Sequence, residues 1–347
     1  MSGFKESSKN KKFKIKENNL ALFNRAVNLQ NKGELKQAAQ IYFELIKNKY
    51  FEENVFLNYA AICQHQKNSK DAILLLKQSI KINPKNFIPF FKMGFILNNM
   101  GSFYEAYPFA KKAIELNPNL WEGYHNLIKI LRNLKRPSDA AKYAKTARDL
   151  FSSNHLFDGL LGEIYSDIGN FGKAIHHYKK AISKAPDDDE TIYSYANFLI
   201  GTGKRKEGID YIVKVLRVNP NHAISYYSLS TIIDVKKDKE LKEKILNLEA
   251  HNFKSLEDNY TVLFSKAHIF HKLKEFDTSS KLLKQANDLK LLVKPSNINE
   301  LIELSENIKN KTSLKKSFNE PKFKFLRDIF IVGLPRSGST LVESILG

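Results

Sequence analysis

Small residues return along this chain at a fixed interval. Ala38, Ala72, Ala106, Ala140, Ala174 and Gly208 each stand 34 positions after the last. A second register, mostly small, runs through Ala26, Ala60, Gly94, Ile128, Gly162, Ala196 and Ser230, and a third through Ser79, Ala113, Ala147 and Ala181. Aromatic and large apolar residues fill many of the sites between. Pro84, Pro118, Pro186 and Pro220 keep the same beat, at separations of 34, 68 and 34. A sustained period of this length predicts stacked units, none of which buries its own apolar face alone.

The fifth unit, with Leu161, Gly162, Tyr165, Gly169, Ala174, Tyr178, Ala181 and Pro186, resembles the tetratricopeptide repeat. The resemblance implies two antiparallel helices per unit. Small residues let the helices approach closely, and the proline ends the second helix. Six well-phased units are expected from about residue 19 to 222, a degenerate seventh over about 223–256, and an eighth beginning near Asn259. The solenoid is assigned to residues 19–293, after a basic tail at 1–18. A linker follows at 294–322, with an amphipathic helix from about Ile298 to Lys309 carrying Leu301, Ile302, Leu304 and Ile308.

Residues 323–347 change character. Phe325 to Val332 reads as a buried strand, and Gly333 and Gly338 then bracket four residues to give G-x-x-x-x-G-S-T. Ser339 stands where a nucleotide-binding loop has lysine, and Arg336 supplies the positive charge from inside the turn. The free amides at a helix start, with hydroxyls from Ser337, Ser339 and Thr340, suit a phosphate, and Arg336 suits a phosphate or sulfonate oxygen.

"PRSGST" after an apolar strand resembles the first cofactor loop of sulfotransferases, the tyrosylprotein-sulfotransferase-like family with tetratricopeptide repeats in front. The resemblance implies transfer of a sulfuryl group from 3′-phosphoadenosine 5′-phosphosulfate (PAPS) to a hydroxyl. Arg336 would be the catalytic residue. Arg336, Ser337, Gly338, Ser339 and Thr340 would bind the cofactor, and no metal is implied. The rest of that family's catalytic domain has no counterpart here, so the chain reads as a fragment, inactive as given. The expected architecture is therefore an all-α tetratricopeptide-repeat superhelix followed by the first strand, loop and helix of an α/β sulfotransferase domain. The alternative is a non-enzymatic repeat scaffold that binds a peptide or protein. A nucleoside-triphosphate module is a weaker third reading.

Composition narrows the rest. In 347 residues, 42% are hydrophobic and 27% charged, with only 15 Gly and 10 Pro, which argues for a folded helical protein. The net charge of +19 is spread along the chain, with a local cluster only at Lys5, Lys9, Lys11, Lys12, Lys14 and Lys16. Nucleic-acid binding is accordingly not expected as a main role. No stretch is long and apolar enough for a membrane span, no signal-peptide core is present, and a cytoplasmic location is expected.

Cys63 falls at a core position. His176, His177, His268 and His271 lack the companions of a zinc site and read as structural or solvated. The aspartates of "PDDDE" at Pro186–Glu190 read as caps for the next helix. Phe23, Phe91, His125, Tyr193 and Tyr227 are the predicted groove-facing residues, suited either to a peptide or partner helix or to packing between units.

Overall fold

The computed structural model describes residues 18–295 together with Ile302 and Glu306. All regular structure among these residues is helical, and no strand occurs among them. The helices come as consecutive hairpins: α1 (18–31) with α2 (Leu35–Lys47), α3 (Glu53–His65) with α4 (Ser69–Ile82), α5 (Phe87–Asn99) with α6 (Phe103–Leu116), and α7 (Trp121–Asn133) with α8 (Pro137–Leu150). Then follow α9 (Leu156–Asp167) with α10 (Phe171–Lys184), α11 (Asp189–Gly201) with α12 (Arg205–Val218), α13 (Ala223–Ile232) with α14 (Lys239–Leu246), and α15 (Leu256–Lys272) with α16 (Phe276–Val293). The fold is an all-helical, tetratricopeptide-like solenoid.

The turn inside each hairpin has a repeating cause. Gly33, Lys67, Gly101, Lys135, Gly169 and Gly203, again 34 apart, all adopt positive φ, between 57° and 85°. A left-handed residue there reverses the chain after the first helix of the pair. The next amide then bonds back to a carbonyl of the last turn, as in Asn170 N–H to Tyr165 O at 2.8 Å and Arg136 N–H to Leu131 O at 2.9 Å. The α13–α14 connection departs from this pattern. It is built instead on Asp234, whose carbonyl accepts from Asp238 N–H at 2.7 Å, and its two helices are the shortest pair.

Between hairpins, asparagine and proline act together. Asn83, Asn117 and Asn219 end α4, α6 and α12, and each is followed by proline. Their side-chain oxygens accept from Lys85, Asn119 and Asn221 N–H, closing the turn over the proline. Asn83 Nδ2 also donates to Glu53 Oε2 at 2.8 Å, and Asn219 Nδ2 to Asp189 Oδ2 at 2.6 Å. The end of one hairpin is thereby tied to its own beginning.

The small-residue registers lie where helices meet. Ala38, Ala72, Ala106, Ala140 and Ala174 are fully buried, as are Ser79, Ala113, Ala147 and Ala181. A Cβ added to Gly94 would stand 3.0 Å from the backbone nitrogen of Ala110, so α5 and α6 approach to within side-chain-free distance. A Cβ on Gly162 would meet the Tyr178 ring at 2.8 Å. Cys63 is buried in the core among Leu57, Ala72, Leu76 and Leu97, as its register indicated.

The chain divides into two compact units, Met1–Leu289 and Lys290–Gly347. In the second, the described residues are 290–295, of which Lys290–Val293 are the last residues of α16, and Ile302 and Glu306, both helical. The predicted strand at Phe325–Val332, the loop at Gly333–Thr340 and the helix after it lie outside the described residues, as do residues 1–17 of the predicted tail at 1–18, whose last residue begins α1.

Candidate binding groove

The first helices of four successive hairpins, α5, α7, α9 and α11, line a cavity of about 680 Å³. The lining is a helical face carried over by the repeat. Glu122, His125, Asn126 and Lys129 occupy i, i+3, i+4 and i+7 on α7, and 34 residues on Leu156, Gly159, Leu160 and Glu163 do the same on α9. Phe91 and Phe95 close one end from α5, and Glu190, Thr191 and Ser194 the other from α11, with Trp121 beside them on α7. Gly159 stands in the register of Phe91 and His125, so the wall carries no ring there, and Thr191 of α11 packs against it, 3.2 Å from where a Cβ would stand.

The polar groups of the groove form two systems. In the first, Asn133 Nδ2 donates to Asn98 Oδ1 at 3.5 Å, and Asn98 Nδ2 donates to Asn126 Oδ1 at 3.1 Å. The chain of amides ends at Asn126, which is 4% exposed and whose Nδ2 has no partner among the described residues. In the second, the Arg132 guanidinium pairs with both Glu163 and Asp167 of α9, the latter at 2.8 Å, and Ser194 Oγ donates to Glu163 Oε1 at 3.0 Å. These bonds run from α7 through α9 to α11 and hold the groove's curvature. Burial, with Lys129 nearby, pushes His125 down to about 4, so its imidazole is neutral at pH 7. Its ring lies 6.5 Å from Trp121.

Of the predicted groove residues, Phe91 and His125 line the cavity. The other three are used in packing. Phe23 meets Tyr42 at 6.2 Å, Tyr193 packs on His222 at 5.0 Å and shares a hydrogen bond with Ser228, and Tyr227 packs on His268 at 5.2 Å. Asp188 caps α11 by accepting from Thr191 N–H at 3.1 Å, as the aspartate run predicted.

A buried charge escaped the sequence reading. Asp158 on α9 is fully buried and faces three groups of α10: Lys184 Nζ at 2.7 Å, Lys180 Nζ at 3.5 Å and His177 Nδ1 at 3.2 Å. Burial alone would raise its pKa, but the hydrogen bonds from Lys184 and His177 and the lysine charges outweigh this and hold it below the usual carboxylate range. Burial lowers His177. A neutral ring protonated on Nδ1 can still donate to Asp158. His177 is therefore structural, the first of the two roles that the sequence left open, and its partner is Asp158.

A family model described as tetratricopeptide repeat matches residues 90–120 and 159–188. These two segments fall on the hairpins α5–α6 and α9–α10. A similar solved structure is a tetratricopeptide repeat protein from Parabacteroides merdae, with a TM-score of 0.59 at 15% identity, covering 78% of this chain and 99% of that one. A curated relative is the Sol locus transcriptional repressor of Clostridium acetobutylicum, 29% identical over 266 residues, or 75% of this chain and 83% of the relative.

These findings correct the sulfotransferase reading, both as a family and as an enzyme. The matches are to tetratricopeptide repeats, to a repeat protein of that fold and to a relative described as a repressor, with nothing of a sulfotransferase among them. The described residues also hold no strand of an α/β domain. The signal was weak for a physical reason. Two glycines five apart leave four positions free, and Ser, Thr and Gly before an apolar run also mark an ordinary helix start. Arg336, Ser337, Gly338, Ser339 and Thr340, and the PAPS site expected from them, lie outside the described residues. No described helix is long and apolar enough to cross a membrane.

Proposed function

We propose that this chain is a protein-interaction scaffold that receives an extended segment of a partner protein in the groove between α5 and α11. One observation carries the reading. The repeat directs a single face of successive helices into one cavity, and that face keeps large apolar side chains, Phe91, Phe95, Trp121 and Leu156, next to unpaired polar groups. Solenoid packing accounts for the fully buried registers; it does not account for Phe95 at 40% exposure or Trp121 at 36%. Side chains of this type anchor peptides in preformed grooves.

The chain contains one tryptophan, Trp121, so its fluorescence reports on the groove directly. Peptides selected from a random library on the immobilised full chain are expected to shift Trp121 emission, and to lose affinity when Phe91 or Phe95 is replaced by alanine. Selected peptides that bind without altering Trp121 and tolerate both substitutions would place the interaction elsewhere.

A further inference from the structure

We infer that the groove takes a cationic peptide, one in which lysine or arginine flanks an aromatic or aliphatic anchor. This rests on the groove being the binding face and adds the chemistry of the ligand.

The charge balance is the first observation. The chain holds 56 Lys and Arg against 37 Asp and Glu, yet the groove reverses this, with Glu122, Glu163, Asp188 and Glu190 against Lys129. Two of the acids are occupied. Arg132 pairs with Glu163, while Asp188 accepts from Thr191 N–H and stands 3.2 Å from His155 Nε2. Glu122 and Glu190 have no hydrogen-bond or ion-pair partner among the described residues. Acids in the first turn of a helix are favoured by the helix dipole alone, so their presence does not by itself make a site.

The second observation is independent of charge. Asn126 lies between Glu122 and Lys129 on the groove face of α7, almost fully buried, with its Oδ1 held by Asn98 and its Nδ2 unpartnered. A buried donor left unmade is costly, and a peptide carbonyl placed over the groove floor would satisfy it. Phe91, Phe95, Trp121 and Leu160 then surround the anchor, and Glu122 and Glu190 stand on α7 and α11 to meet the cations.

The test uses the full chain and three capped ten-residue peptides that share two phenylalanines and differ in four positions, all Lys, all Glu or all Gln. Binding is measured by calorimetric titration, and Trp121 emission reports whether the groove is occupied. The lysine peptide is expected to bind at least about tenfold more tightly than the glutamate peptide at low ionic strength, with the difference shrinking as salt is added. A Glu122→Gln, Glu190→Gln double variant should weaken the lysine peptide by about fivefold, the order expected of two partly exposed ion pairs, and leave the glutamine peptide unaltered. Asn126→Ala should weaken the lysine and glutamine peptides by the same factor, because it addresses the main chain. Equal binding of all three peptides, tighter binding of the glutamate peptide, or indifference of the lysine peptide to the double variant overturns the proposal. If the glutamate or glutamine peptide perturbs Trp121 and the lysine peptide does not, the groove reading stands and the cationic assignment falls. If none perturbs Trp121 while all bind, both fall.

Discussion

Lys184 Nζ lies 2.7 Å from Asp158 Oδ2, and the carboxylate it approaches is wholly buried. Lys184 also donates to Ser152 O at 2.8 Å, which extends the cluster into the α8–α9 connection. The cluster thus joins one hairpin to the next. Asp158→Asn should destabilise the solenoid by about 1–3 kcal/mol, the cost of unmade hydrogen bonds to a charged group. The larger loss typical of a stranded buried charge is not expected, because Lys180 and Lys184 can turn to solvent. Urea unfolding followed by circular dichroism measures the difference, and an unchanged midpoint would show that the cluster contributes nothing.

Acid titration of stability separates Asp158 from His125. The folded chain keeps His125 neutral down to about 4, whereas in the unfolded chain it protonates near 6.5. Protons therefore bind preferentially to the unfolded state in that window, and stability falls as pH drops through it. Asp158 is depressed in the folded state, so its contribution is present above the usual carboxylate range and is lost as pH falls through its lower folded value. Urea midpoints of His125→Phe should decline less than those of the parent between pH 6.5 and about 4. Asp158→Asn should differ from the parent chiefly in losing less on further acidification. The same decline in His125→Phe as in the parent would remove the imidazole from the account.

Gly162 and Gly172 are expected to respond oppositely to alanine. In both, alanine gains up to about 1 kcal/mol of helix propensity. At Gly162 the new Cβ meets a Tyr178 ring at 2.8 Å that is itself 2% exposed and has nowhere to move, so overpacking of about 1–3 kcal/mol wins. At Gly172 nothing lies within 4 Å, and the substitution should be neutral or stabilising. Thermal melts of the two variants check the sign of each.

Lys135 carries a φ of 57° in the position that glycine holds in neighbouring hairpins. A side chain in this region costs about 1–2 kcal/mol, and glycine removes that cost while adding about 0.5–1 kcal/mol of unfolded-state entropy. Lys135→Gly should therefore stabilise by several tenths to about 1 kcal/mol. Lys67→Gly, at φ 58°, should do the same. A loss of stability in both would mean that the lysine side chains make compensating contacts.

Most of the solenoid was legible in the sequence because its contacts are local and repeat. Buried alanines 34 apart specify both where helices meet and how closely, and a glycine or proline at a fixed phase specifies where each helix stops. Asp188 as a cap and Cys63 as core filling follow from phase alone. The groove was only half legible. Phase says which positions face inward, and Phe91 and His125 do; it does not say which of them a neighbouring hairpin will cover, and Tyr193 and Tyr227 pack on His222 and His268. The chain of amides through Asn98 to Asn126, and the partners of Asp158, depend on side-chain directions across separate helices, which periodicity does not encode. The terminal loop shows the converse. A short motif without a repeated context drew a whole enzyme behind it, and the family match falls instead on the repeats at 90–120 and 159–188. What the sequence determined by itself was the helical stack, since a sustained period can be satisfied only by stacking. What the tertiary structure decided was which polar groups meet in the groove and which remain free there, because burial and partnership arise only once the hairpins are packed.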